Sequence, residues 1–242
     1  MSSLLTLERI SKRFGAIIIA DSIDMTLNKG EALGLIGPNG AGKTTLFGIA
    51  TGTMSPNSGR VLLDNRDITG LRPEQRCRLG IARSFQVPQP FTGMTVFENL
   101  LVAAAFGRDM RERDVHAHCV ELLEQCGLAA KANWLAGSLP LLDRKRLELS
   151  RALATKPRVL LLDEVAGGLT EHECAVLVEL IREIRRTGVS IIWIEHIVHA
   201  LLSVVDRLLV LHGGCFIAQG DPAEVIKSQP VREVYMGIPA DA

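Results

Sequence analysis

The stretch EALGLIGPNGAGKTTLFGIATG, residues 31–52, changes character twice. It opens as a near-continuous apolar run closed by a glycine, the composition of a strand buried on both faces of a parallel sheet. Residues 37–45, GPNGAGKTT, then match G-x-x-x-x-G-K-[ST], and LFGIATG continues with the composition of a helix. Strand, glycine loop and helix together give the pattern a mechanism. The loop Gly37, Pro38, Asn39, Gly40, Ala41, Gly42 lets successive backbone N–H groups converge on an anion, and the helix N-terminus adds a partial positive charge. Lys43 reaches the β- and γ-phosphates as a compact cation, Thr44 offers a hydroxyl to Mg²⁺, and Thr45 bonds a further phosphate oxygen. The expectation is a chain that binds a nucleoside triphosphate.

A second half of such a site lies about 120 residues downstream. VLLLDE, residues 159–164, is a buried strand with two carboxylates at its mouth. Asp163 is placed to hold Mg²⁺ through water, and Glu164 to orient the water that attacks the γ-phosphate. Phosphoryl transfer needs positioning and charge stabilisation more than covalent help, so a metal, a lysine and one carboxylate suffice.

The remaining chain fits this frame. The first 70 residues read as short strands, LLTLERI and RVLLD among them, punctuated by turns at FG, NKG and PNSG. From Arg72 to Ala136 the pattern reads as helical. VHAHCVELLEQCGL places Val115, Cys119, Leu122, Leu123 and Cys126 on one face, with Gly127 as the stop. PRVLLLDE and GVSIIWIEH are buried strands on either side of the helical EHECAVLVELIREIRRTG, which argues for β-α-β units and a parallel sheet. DRLLVLHGGCFIAQGDPAEVI reads as a hairpin at Gly213-Gly214, then a helix capped by Asp221 with Pro222 in its first position.

Composition sets outer bounds. The 242 residues make one generous domain or a core with inserted lobes. At 47% apolar the chain can build a packed core, and its 27 basic and 27 acidic side chains cancel, giving no footprint for a nucleic-acid partner. Five cysteines without a C-x-x-C pair read as reduced thiols. Glu8 and Arg9 come too early for a secretory signal. SIIWIEHIVHALLSVVDRLLVL, broken by Glu195, His196, Asp206 and Arg207, cannot span a bilayer, so a role at a membrane needs another chain to supply the spans.

With these residues in place, the chain resembles the ATP-binding-cassette family over nearly its whole length. RSFQVPQPFTGMTVFENLLVA resembles the family's Q-loop, making Gln86 a glutamine that contacts metal and water. IIWIEH resembles the switch strand, making His196 the γ-phosphate histidine that pairs with Glu164, and KRFG puts Phe14 where an aromatic ring stacks on adenine. Taken alone, a glutamine of this kind reads as surface, and a lone histidine or phenylalanine as core; the order and spacing of the five elements carry the resemblance. MTVFENLLVA, RLELSRAL, LLLDEVAGGL, IEHIVHAL and GDPAEVI…VREVYMG look most like the ATPase subunits of branched-chain amino-acid importers.

The resemblance implies an α/β P-loop NTPase with a RecA-like, mostly parallel core, an antiparallel β subdomain and an inserted helical subdomain. Residues 1–242 would form a single nucleotide-binding domain: core and β subdomain at 1–90 and 155–242, helical subdomain at 91–154. It implies ATP and Mg²⁺ as ligands, head-to-tail dimerisation, integral-membrane permease subunits as partners, and indirectly a periplasmic or extracellular solute-binding protein. The place implied is peripheral, on the cytoplasmic face of the inner membrane. Phe91, Met94, Val96 and Phe97 are candidates for the permease-docking surface, and equally for core.

One stretch departs from the family. Where relatives of this type carry LSGGQ or LSYGQQ, this chain has Leu139, Pro140, Leu141, Leu142, Asp143. The serine that would bond the γ-phosphate is Pro140, and the glycine that lets backbone approach the nucleotide is Leu142. Asp143 adds a carboxylate, opposing the phosphates or capping a helix from Arg144 to Ala154. Val165 replaces a proline, and Thr170 stands where the family keeps Asp or Asn. Because a family member's signature serves the ATP held by its partner, the expectation is a heterodimer with a second ATPase whose signature is intact. Two alternatives remain at this point: a non-hydrolysing regulatory ATP-binding module, and a soluble ABC ATPase outside transport.

Overall fold

The structure, a computed structural model, describes residues 2–107 and 112–236. The part of the expected helical lobe at 108–111 and Gly237 of the C-terminal resemblance lie outside the described residues. In chain order the elements are β1 (Ser3–Phe14), β2 (Ile17–Asn28), β3 (Ala32–Ile36), α1 (Lys43–Thr51), β4 (Ser58–Leu63), β5 (Arg66–Asp67), α2 (Pro73–Arg78) and β6 (Ile81–Arg83). There follow α3 (Val96–Gly107), α4 (Glu112–Gln125), α5 (Leu141–Ala154), β7 (Val159–Asp163), α6 (Glu171–Arg186), β8 (Ser190–Ile194) and α7 (Val198–Leu202). The chain closes with β9 (Arg207–His212), β10 (Cys215–Gly220), α8 (Pro222–Lys227) and α9 (Gln229–Met236). Two compact units result: Met1–Pro73 with Ser190–Ala242, and Glu74–Val189.

The first unit holds an antiparallel sheet in the order β2-β1-β4-β5. It also holds β3 running parallel to both β8 and β9, with β10 antiparallel at the β9 edge. Every residue of β3 is buried, as the unbroken apolar run required. Arg207 Nε donates to Glu31 Oε1 at 2.7 Å, and Asp206 Oδ2 accepts from the Ala32 N–H at 3.0 Å. These bonds fasten the start of β9 to the entry of β3, and so fix the strand that feeds the glycine loop. The expected hairpin at Gly213-Gly214 is present, and Asp221 Oδ1 accepts from the N–H groups of Ala223 and Glu224 as the cap of α8.

The second unit pairs β6 with β7 in parallel and gathers α3, α4 and α5. The five apolar residues expected on one face of α4 are all buried, and Gly127 follows at φ +67°. Two expectations are corrected. The stretch that reads as helical from Arg72 contains β6, because three residues behind Gly80 are too few for periodicity to separate strand from helix. And α5 begins at Leu141 with Pro140 as its N-cap, so Asp143 sits inside the first turn and is not the cap. Thr170 caps α6 through a capping box: its hydroxyl accepts from the Glu173 N–H while the Glu173 carboxylate accepts from the Thr170 N–H. Among the described residues no helix is long and apolar enough to cross a membrane.

Candidate nucleotide-binding site

In the first unit the glycine loop is built where side chains do not fit. A Cβ on Gly37 would lie 2.2 Å from the Leu211 carbonyl oxygen, so the loop passes against β9 as bare backbone. Gly42, the N-cap of α1, has φ +104°, and a Cβ there would meet Ile19 Cγ2 at 2.6 Å. Lys43 is buried, its Nζ donating to the carbonyls of Gly37 at 2.7 Å and Pro38 at 3.1 Å. Its cation is thus held over the loop's own backbone. Thr44 is exposed and Thr45 half-buried, leaving both at the open side of the helix start. Phe14, at the end of β1, is 48% exposed with Lys12 Nζ 5.2 Å from its ring centroid, which removes it from the core. His196 is exposed just beyond β8, and the buried Glu195 steadies the turn by accepting from the His196 N–H at 2.9 Å.

In the second unit the two carboxylates at the mouth of β7 are each held by a neighbour. Arg83 Nη2 donates to Asp163 Oδ2 at 2.5 Å, and both side chains are largely buried. Gln86 Nε2 donates to Glu164 Oε2 at 2.5 Å. Glu164 has φ +49°, a left-handed backbone that side chains rarely adopt and that costs about 1–3 kcal/mol. The structure joins Gln86 to Glu164, a pairing the sequence did not announce, and adds Arg83, which sequence reasoning missed although it stands three residues ahead of Gln86. It also adds the helix behind this loop: Lys145, Glu148 and Arg151 of α5 all bond to residues 86–89. Burial pushes the Glu148 carboxyl up, against the lowering pull of Arg151.

The altered signature stretch is ordered and satisfied locally. Asp143 is 5% exposed and ion-paired to Lys131 and to Arg146, the latter at 3.3 Å. The two cations counter its charge within its own unit. Pro140 and Leu142 therefore carry the departure, with Leu141 42% exposed beside them. Of the docking candidates, Val96 is fully buried and belongs to the core, whereas Phe91 is 47% exposed.

These residues fit a nucleotide and its metal. Gly40 and Gly42 both take positive φ along a loop that ends at a helix start, which is the geometry of an anion nest. Among the described residues no group of three His, Cys, Asp or Glu could cage a metal. Taken unit by unit, the Thr44 hydroxyl in the first and the Asp163 carboxylate and Gln86 amide in the second are oxygen donors of the kind Mg²⁺ takes alongside waters and phosphate oxygens.

A glycine nest on a buried parallel strand, with an acidic pair at the end of another, defines a P-loop nucleotide-binding protein. The sequence profile described as ABC transporter matches residues 20–167, and the chain belongs to that family. It is 37% identical to the high-affinity branched-chain amino acid transport ATP-binding protein LivG of Salmonella typhimurium, over 97% of this chain and 98% of the relative. It is 31% identical to the lipopolysaccharide export system ATP-binding protein LptB of Haemophilus influenzae, over 97% and 98%. The crystal structure of the ADP conformation of MJ1267, an ATP-binding cassette of an ABC transporter, superposes with a TM-score of 0.89 at 32% identity, covering 98% of this chain and all of that one. The fold is that of the ABC ATPases.

Proposed function

We propose that this chain binds and hydrolyses ATP to power a membrane importer of branched-chain amino acids or a similar small polar solute, bound to permease subunits at the cytoplasmic face. The observation that carries this is the coexistence of a complete phosphate nest around a buried Lys43 with a Glu164 held by Gln86. Higher identity to LivG than to LptB favours import of an amino acid over export of a lipid.

In this reading the N–H groups of residues 37–45 and the Lys43 ammonium hold the phosphates, and Phe14 stacks on the adenine. Thr44, Asp163 and Gln86 would hold Mg²⁺, which would supply charge neutralisation to the phosphates. Glu164 accepts a hydrogen bond from the attacking water and aims it, and His196 bonds the γ-phosphate. Arg83, paired with Asp163, keeps that carboxylate in one orientation. Because Pro140 has no hydroxyl and Leu142 places a side chain where backbone approach is needed, this chain's signature serves a partner's ATP poorly. Its own nest is completed by a second ATPase with an intact signature, in a heterodimer with one competent site. A periplasmic or extracellular binding protein delivers the solute to the permease.

Two variants test the reading. Lys43→Ala abolishes ATP binding, whereas Glu164→Gln retains binding and loses turnover about a hundredfold or more in the assembled complex. A Glu164→Gln complex as active as the wild type overturns the assignment.

A further inference from the structure

Lys145, Glu148 and Arg151 lie three residues apart on α5 and so form one stripe along a helix face. Each reaches the same short segment. Lys145 Nζ donates to the Gln86 carbonyl at 3.2 Å, Glu148 Oε2 accepts from the Gln89 N–H at 3.3 Å, and Arg151 Nη1 donates to the Gln89 carbonyl at 2.7 Å. Arg151 also bonds Glu148 at 3.0 Å, and its guanidinium carbon lies 5.1 Å from the Phe91 ring centroid. Lys145 and Glu148 are only 5% and 6% exposed. Burying charge is costly unless it is paired or bonded, so two buried charges and the half-buried Arg151, all aimed at one loop, are an arrangement the fold maintains at a cost.

The loop's ends are tied down, Ser84 N–H to the Leu161 carbonyl at 2.9 Å and Phe91 N–H to Asn99 Oδ1 at 2.8 Å. Between them Phe85, Gln86, Val87 and Gln89 are exposed and belong to no helix or strand. Yet Gln86 must reach Glu164 within hydrogen-bond distance. We infer that Lys145, Glu148 and Arg151 are positioning residues that clamp residues 86–89 to α5 and thereby set Gln86 against Glu164. Since α5 begins at Leu141, in the altered signature stretch, a shift of that helix is passed to residues 86–89 through one contact on Gln86 and two on Gln89. The clamp's effect on turnover rests on the proposed hydrolytic role of Glu164.

The test uses the full chain, wild type against Glu148→Ala, Arg151→Ala and the conservative Glu148→Gln. Backbone amide exchange of residues 85–91 is expected to accelerate roughly tenfold in both alanine variants, with α5 and β7 unchanged and ATP affinity within about twofold. Glu148→Gln keeps an acceptor oxygen and stays near wild type. In a Pro140→Ser/Leu142→Gly background, where turnover does not await a second ATPase, kcat falls about tenfold while KM holds. Loop exchange that stays at the wild-type rate in both folded alanine variants overturns the clamp, as does faster exchange with kcat intact. Exchange spreading through α5 in every variant overturns it too, since that is loss of the helix. If the parent background itself hydrolyses no ATP, the exchange pattern alone decides the clamp, and the Glu164→Gln complex decides the proposed function.

Discussion

Gln86 donates to Glu164 across 2.5 Å, joining an exposed loop to the residue just past β7. Glu164 reaches this bond from a left-handed backbone at φ +49°. The bond fixes one carboxylate oxygen of a half-buried side chain and so orients the group.

Gln86→Leu removes that donor while keeping side-chain bulk. Turnover in the assembled complex is expected to fall about tenfold, the factor that ~1.4 kcal/mol of a charge-assisted bond represents. ATP affinity of the isolated chain should hold, measured by titration with a fluorescent nucleotide.

Asp143 is expected to act on stability and not on nucleotide. Asp143→Ala leaves Lys131 and Arg146 without their carboxylate. The cost should be about 2 kcal/mol, below that of a fully buried pair because Lys131 is a third exposed. The urea midpoint reads it, with ATP affinity as the control.

The α6 cap gives a third outcome. Thr170→Ala should cost about 1 kcal/mol, whereas Thr170→Asp, a capping residue in its own right, should cost little. Hydrogen bonds from the Thr170 N–H and hydroxyl lower the Glu173 carboxyl. Its stabilising contribution is therefore present above the ordinary value of 4.5 and lost as pH falls through the depressed one. Acid unfolding followed by circular dichroism should show a shallower transition in Thr170→Ala.

Burial pushes the Cys126 thiol up to about 11 from its ordinary 9.0, with bonding from Ser150 opposing the rise. The raised value means that stability is full below pH 9.0 and declines as pH climbs toward 11. The loss should approach roughly 3 kcal/mol, since each tenfold change in acidity is worth about 1.4 kcal/mol. Urea midpoints at pH 8, 9.5 and 10.5 should slope less steeply in Cys126→Ala than in the wild type.

What the residues make legible follows from the range of the forces involved. The strand, nest and helix at residues 31–52 are contiguous, so local backbone chemistry declares them, and VLLLDE does the same for the acidic pair. The start of α5 is hard to place from sequence because Asp143 looks like a cap until Lys131 and Arg146 arrive to claim its carboxylate. The loop clamp is hidden for a similar reason. Lys145, Glu148 and Arg151 read as a solvated helix face in sequence, and only the fold brings Gln86 and Gln89 beneath them. Arg83 has a faint signal, a charge at the end of a short apolar run, but its partner lies 80 residues away.

The measurement that bears most directly on a sound nest paired with a failed signature is phosphate release by the purified chain across protein concentration. Wild type is compared with Pro140→Ser/Leu142→Gly, each with and without Lys43→Ala. The wild type should stay near the Lys43→Ala baseline, while the restored variant climbs steeply with concentration as two repaired chains complete each other's sites. A wild type that turns over as fast as the restored variant, rises with concentration and loses that activity with Lys43→Ala would contradict the account, because Pro140 and Leu142 would then form a working signature.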